Sequence, residues 1–142
     1  MNVSPKEQLA TINRIRTSLK GAPLNVLLVE DDEGDAFITR RVLNSKNVEN
    51  IAWAKTVKDA CDMFRQAEFK LVFLDLKLQE GTSGLDLIKT LKETRPDSWV
   101  IVLSGAYTED SDECKEALRL GAFAIMLKPL TPEKVEFILG NP

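Results

Sequence analysis

Residues Val26-Leu27-Leu28-Val29-Glu30-Asp31-Asp32-Glu33 place four apolar side chains directly before four carboxylates. An uninterrupted Val/Leu run fits a strand covered on both faces, as in a parallel sheet. The carboxylates that follow repel one another at the strand end unless a positive group neutralises them. Hard divalent cations prefer oxygen donors of this kind, so one reading is a magnesium site at the carboxyl end of a central strand. The other is an acidic loop that starts the next helix, because Asp and Glu suit helix N-termini. The run alone leaves both readings open.

The chain has 142 residues, the size of one domain, with 44% hydrophobic and 29% charged residues, as in a soluble globular protein. No stretch approaches the roughly 20 apolar residues of a transmembrane helix, and no secretory block opens the chain, so a cytoplasmic protein is expected. A net charge of −3 argues against direct nucleic-acid binding. Cys61 and Cys114 are widely spaced and have no histidine to help bind zinc, which reads as two reduced structural thiols. The chain contains no histidine at all, which removes Ser-His-Asp triads, His acid–base catalysis and His metal ligands.

Residues 1–22 form a block of their own. Lys6, Arg14, Arg16 and Lys20 against Glu7 give the first twenty residues a net +3, leaving −6 for the remainder. Leu9, Ile12, Ile15 and Leu19 recur at helical spacing until Gly21-Ala22-Pro23. The expectation is an amphipathic helical extension lying on the domain or on a partner; its stripe is short and lacks Trp or Phe, which disfavours a membrane surface.

From residue 24 strands and helices alternate. Strands are expected at 24–29, 51–54, 71–74, 99–103 and 122–127, and helices over 35–43, from about 57, over 84–94, over 113–120 and after Thr131. Phe37, Ile38 and Val42 are the packing candidates of the first helix, and Leu85, Ile88 and Leu91 those of the third. Five strand–helix units of this length predict an α/β domain over 23–142, a parallel sheet with helices on both faces. Such folds bind ligands at the carboxyl ends of their strands. Those ends carry Glu30, Asp31 and Asp32, then Asp75, Ser104 and Lys128. Singly, Asp75 could cap a helix, Ser104 could sit in a turn and Lys128 could be solvated. Jointly, they place polar groups at four strand ends.

With these motifs (the acidic pair in VEDD, the Asp in LVFLD, the hydroxyl in VLSG, the Lys-Pro of MLKP) the chain resembles the receiver domain of bacterial two-component response regulators, from residue 24 to about 139. The resemblance implies a flavodoxin-like sheet of order 2-1-3-4-5. It implies that Asp75 takes a phosphoryl group as a mixed anhydride, that Glu30, Asp31, Asp75 and the Lys77 backbone carbonyl hold Mg2+, and that Ser104 and Lys128 contact phosphoryl oxygens. Asp32 and Glu33 are left to begin the first helix. A cis Lys128–Pro129 bond is also expected. The implied donor is a histidine kinase or histidine phosphotransfer protein, docking near Asp35–Thr39 and Pro129–Leu130. The output is a downstream protein or a separate output domain, with a homodimer possible. The switching surface is expected over Ser104–Gly121 and Ile125.

The chain departs from the family pattern in places. The segment Gln79–Gly84 is one residue longer and lacks the usual proline, and Ile125 replaces a common aromatic residue. Lys77, two residues past Asp75, can extend toward the phosphate or Glu30 and is expected to alter phosphoryl lifetime. The expected function is a signalling switch that assists its own phosphorylation and dephosphorylation, not an enzyme. The alternatives are a receiver-like interaction module not regulated by phosphate, and a phosphatase. No output domain follows, so the chain reads as a stand-alone receiver or a fragment.

Overall fold

The computed structural model describes residues 24–77, 84–105 and 111–140. The expected N-terminal helix, the segment 78–83 and part of the expected switching surface, 106–110, lie outside these. Five strands and five helices alternate: β1 (Asn25–Val29), α1 (Glu33–Ser45), β2 (Asn50–Ala54), α2 (Val57–Gln66), β3 (Leu71–Asp75), α3 (Gly84–Thr94), β4 (Trp99–Ser104), α4 (Asp112–Arg119), β5 (Ala124–Leu127) and α5 (Pro132–Leu139). The strands form one parallel sheet in the order β2-β1-β3-β4-β5, which agrees with the order implied by the resemblance.

The two-residue period of a strand explains why the apolar runs carry so few polar residues. Leu27 and Val29, Val72 and Leu74, and Val100 and Val102 face α2, α3 and α4; Val26 and Leu28, Leu71 and Phe73, and Ile101 and Leu103 face α1 and α5. Both faces are therefore buried, and polarity is confined to the strand ends. Helix starts follow side-chain chemistry: Asp32, Thr56, Ser111 and Thr131 accept the backbone N–H three residues on, from Asp35, Asp59, Cys114 and Lys134. Pro132 occupies the first turn of α5, where a missing N–H costs nothing. Among the described residues, no helix is long and apolar enough to cross a membrane.

Three local expectations are corrected. The inward stripe of α1 is Ala36, Thr39 and Leu43 with Val42 packed beside it, as expected for Val42, while Phe37 and Ile38 are 60% and 46% exposed. Leu87 joins Ile88 and Leu91 in the core, and Leu85 only flanks it. The fifth strand starts at Ala124 instead of residue 122, because the N–H of Ala122 still closes the end of α4 on the carbonyl of Ala117. Gly121, at φ 116°, makes the turn between them. Cys61 and Cys114 are both free, and Cys114 is buried.

The first residue of α3 lies against the exit of β3. A Cβ on Gly84 would stand 3.0 Å from the Leu76 Cα and 3.1 Å from the Leu76 carbonyl oxygen, backbone atoms that cannot swing aside. Gly84→Ala should therefore destabilise the domain by about 1–3 kcal/mol through overpacking. A urea midpoint unchanged from wild type would contradict this.

Candidate functional site

Parallel strands all end at one edge of the sheet, so residues distant in sequence meet there. Glu30 follows β1, Asp75 closes β3, Ser104 closes β4 and Lys128 follows β5. Glu30, Asp75 and Ser104 are almost fully buried, at 1%, 9% and 2% exposure. One carboxylate oxygen from each of Glu30, Asp31 and Asp75 falls within 4.8 Å of the others. Lys128 Nζ donates to Glu30 Oε1 at 2.5 Å, to Asp35 Oδ2 at 2.9 Å and to Asp75 Oδ2 at 3.2 Å. The peptide between Lys128 and Pro129 is cis.

The backbone around these groups is fixed on several sides. Glu30 N–H donates to Ala54 O at 3.0 Å, and the Trp53 indole donates to Glu30 O at 2.8 Å. The second Glu30 oxygen accepts from Asp32 N at 3.3 Å. Asp75 Oδ1 accepts the Lys77 N–H at 3.0 Å. Lys128 N–H donates to Ser104 O at 2.8 Å, tying the last two strand ends together. Lys134, in the first turn of α5, donates to Leu127 O and Pro129 O at 2.6 and 3.0 Å and holds the loop that carries Lys128. The Lys77 side chain lies on the exposed surface.

Burial and the nearby Asp75 push the Glu30 carboxyl up to about 7, against the opposing pull of Lys128. Burial works against the Lys128 ammonium, but its bonds to Glu30 and Asp35 outweigh this and hold it above the ordinary lysine value. The Glu30 displacement comes first from burial and then from Asp75, and that of Lys128 from its carboxylate partners. The donors that face one another are all oxygen, the set preferred by hard divalent ions, and their mutual repulsion favours such an ion. The residues present therefore fit a divalent cation.

Sequence reasoning missed three participants. Asp35, expected near the donor's docking surface, also brings its carboxylate into the site, because α1 starts directly at the strand end; its place three residues after the helix cap is the available signal. Trp53 and Lys134 act through tertiary neighbours that no local pattern reveals.

The family model for the response regulator receiver domain matches residues 26–139. The chain belongs to this family. Its relatives include the aerobic respiration control sensor protein ArcB of Escherichia coli (strain K12), 35% identical over 108 residues, a match covering 76% of this chain but 14% of ArcB. This receiver domain spans between 14% and 47% of the length of the curated relatives it matches. Among solved structures, a response regulator from Thermotoga maritima is 30% identical with a TM-score of 0.70, over 83% of this chain and 98% of that one. A Burkholderia pseudomallei response regulator, 27% identical with a TM-score of 0.72 over 82% and 66% of the two chains, was crystallised with a phosphorylated aspartic acid, a calcium ion and citrate.

The raised Glu30 carboxyl sets a pH dependence. Without divalent ions, the folded receiver keeps a proton on Glu30 between the ordinary glutamate value of 4.5 and about 7, where the unfolded chain has released it. The unfolded state then binds fewer protons, so stability falls as pH rises through this window. With no histidine in the chain, no side-chain type has its ordinary pKa between about pH 5.5 and 7.5. In chelator, the wild-type Tm should drop by about 2–8 °C from pH 5.5 to 7.5, an effect on the order of 1 kcal/mol, and Glu30→Gln should flatten the drop. A wild-type Tm that rises over this range would contradict the assignment.

Proposed function

We propose that this receiver domain accepts a phosphoryl group on Asp75 from a phosphohistidine donor, with Mg2+ held by Glu30, Asp31, Asp75 and the Lys77 carbonyl, and changes conformation in response. The observation that carries the reading is the position of Asp75: a nearly buried carboxylate at a central strand end, beside two further acidic groups and 3.2 Å from an ammonium. A carboxylate oxygen of Asp75 attacks phosphorus as the P–N bond to the donor imidazole breaks, and the imidazole nitrogen keeps the bonding pair and takes up a proton. Such a transfer asks the protein chiefly for positioning and for neutralisation of the equatorial oxygens. A bound divalent ion supplies part of that neutralisation. Lys128 supplies a point charge, and the Ser104 hydroxyl is placed to serve as a donor to a phosphoryl oxygen.

A surface cavity of about 180 Å³, lined by Asp35, Ile38, Thr39, Lys128 and Pro129, supports entry of the donor along α1 and the loop before α5. The exposed Phe37 and Ile38 beside it offer an apolar contact face. Signal output through the α4–β5 side follows from the family reading, with Ser104 linking that side to the pocket.

Intact-mass measurement after incubation with Mg2+ and acetyl phosphate tests the proposal. The expected result is one added phosphoryl group, absent with chelator and absent in Asp75→Ala. An unmodified wild type that also binds no beryllofluoride would favour the interaction-module reading. Continuous release of inorganic phosphate without a detectable adduct would favour a phosphatase.

A further inference from the structure

A lysine ammonium has three N–H donors. Lys128 divides them among three carboxylates reached from three elements: Glu30 after β1, Asp75 on β3 and Asp35 on α1. In the proposed phospho-acceptor chemistry two of these partners change role. Glu30 belongs to the trio of carboxylates that converge on a cation position, and Asp75 becomes an acyl phosphate. Asp35 does neither. It is absent from that trio, and it sits in the first turn of α1, where its own backbone N–H is fixed at 2.9 Å on the Asp32 side chain. Its carboxylate is also half-exposed, so pairing with Lys128 takes little hydration from it.

Resting on the phospho-acceptor reading, we propose that Asp35 is a positioning residue that tethers the Lys128 ammonium at the pocket throughout the phosphorylation cycle. A lysine side chain is a point charge on a flexible four-carbon stem, and its aim depends on what holds its end. Once Glu30 turns to the cation and Asp75 carries phosphate, two of the three donors are released toward phosphoryl oxygens. The Asp35 bond then keeps the ammonium within reach of them. Gly105 leaves room for that stem, since a Cβ there would stand 3.5 Å from the Lys128 Cδ.

The test is the beryllofluoride affinity of the full chain in Mg2+, by calorimetry, for wild type, Asp35→Ala, Asp35→Asn, Lys128→Gln and the double variant Asp35→Ala/Lys128→Gln. Removing a partly exposed charged tether should weaken beryllofluoride binding about fivefold in Asp35→Ala and less in Asp35→Asn, which keeps an acceptor oxygen. The affinity for Mg2+ alone should stay within about twofold of wild type, because Asp35 is not among the converging carboxylates. In the Lys128→Gln background, Asp35→Ala should have no further effect. Beryllofluoride binding that is unchanged or tighter in both Asp35 variants would overturn the tether. So would an equal loss with and without Lys128, since it would mean that Asp35 acts by another route. Should Asp35→Ala not fold, the same comparisons with Asp35→Asn decide. A wild type that binds no beryllofluoride would overturn the phospho-acceptor reading itself and the tether with it, and that failure is visible before any variant is made.

Discussion

One ammonium and four carboxylates share the carboxyl edge of this sheet, and the arrangement of the domain follows from keeping them together. Lys128 bonds Glu30, Asp35 and Asp75, and Asp31 lies beside the first and last of these. Burying a carboxylate such as Glu30, 1% exposed, is tolerated only with a charged or hydrogen-bonded partner. The partners come from β1, α1, β3 and the loop after β5, so the charge cluster exists only when these elements are in register. The apolar strands bring the groups together, and the polar ends are where the remaining imbalance resides.

That imbalance is also what makes the site chemically useful. A fully neutralised edge would have no use for a cation, and a lysine with a single partner would have little to offer a phosphoryl group. Here burial, with the nearby Asp75, raises the Glu30 carboxyl, the crowded carboxylates favour a divalent ion, and the Lys128 ammonium is kept charged beside Asp75. Hydrogen bonds from the backbones of Asp32 and Lys77, from the Trp53 indole and to the Ala54 carbonyl limit how far the carboxylates can move apart to relieve their repulsion. Similar preorganisation recurs wherever phosphoryl oxygens must be met by fixed charges.

Much of this was legible in the sequence because strand burial and strand ends leave local marks. The runs before Glu30, Asp75 and Ser104 are apolar at every position, since both strand faces are covered, and each stops at a polar residue. Only the resemblance to receiver domains set Asp32 apart from Glu30 and Asp31, and its side chain does cap α1. The facing of α1 was less legible: Phe37 and Ile38 look like core residues by hydrophobicity, yet the helix buries Ala36, Thr39 and Leu43 and leaves those two exposed. Asp35, Trp53 and Lys134 were hidden for another reason. Each acts on a residue brought near by sheet order and loop path, which periodicity does not encode.

The central claim is that Asp75, among the acidic residues crowded at this edge, is the one that carries phosphate. Reductive trapping addresses it directly: after incubation with Mg2+ and acetyl phosphate, borohydride converts an acyl phosphate to an alcohol, leaving homoserine in place of the modified aspartate. Peptide mass spectrometry should find homoserine at position 75 and at no other aspartate. Homoserine at Asp31 or Asp35, or at no position while the protein binds Mg2+, would contradict the account.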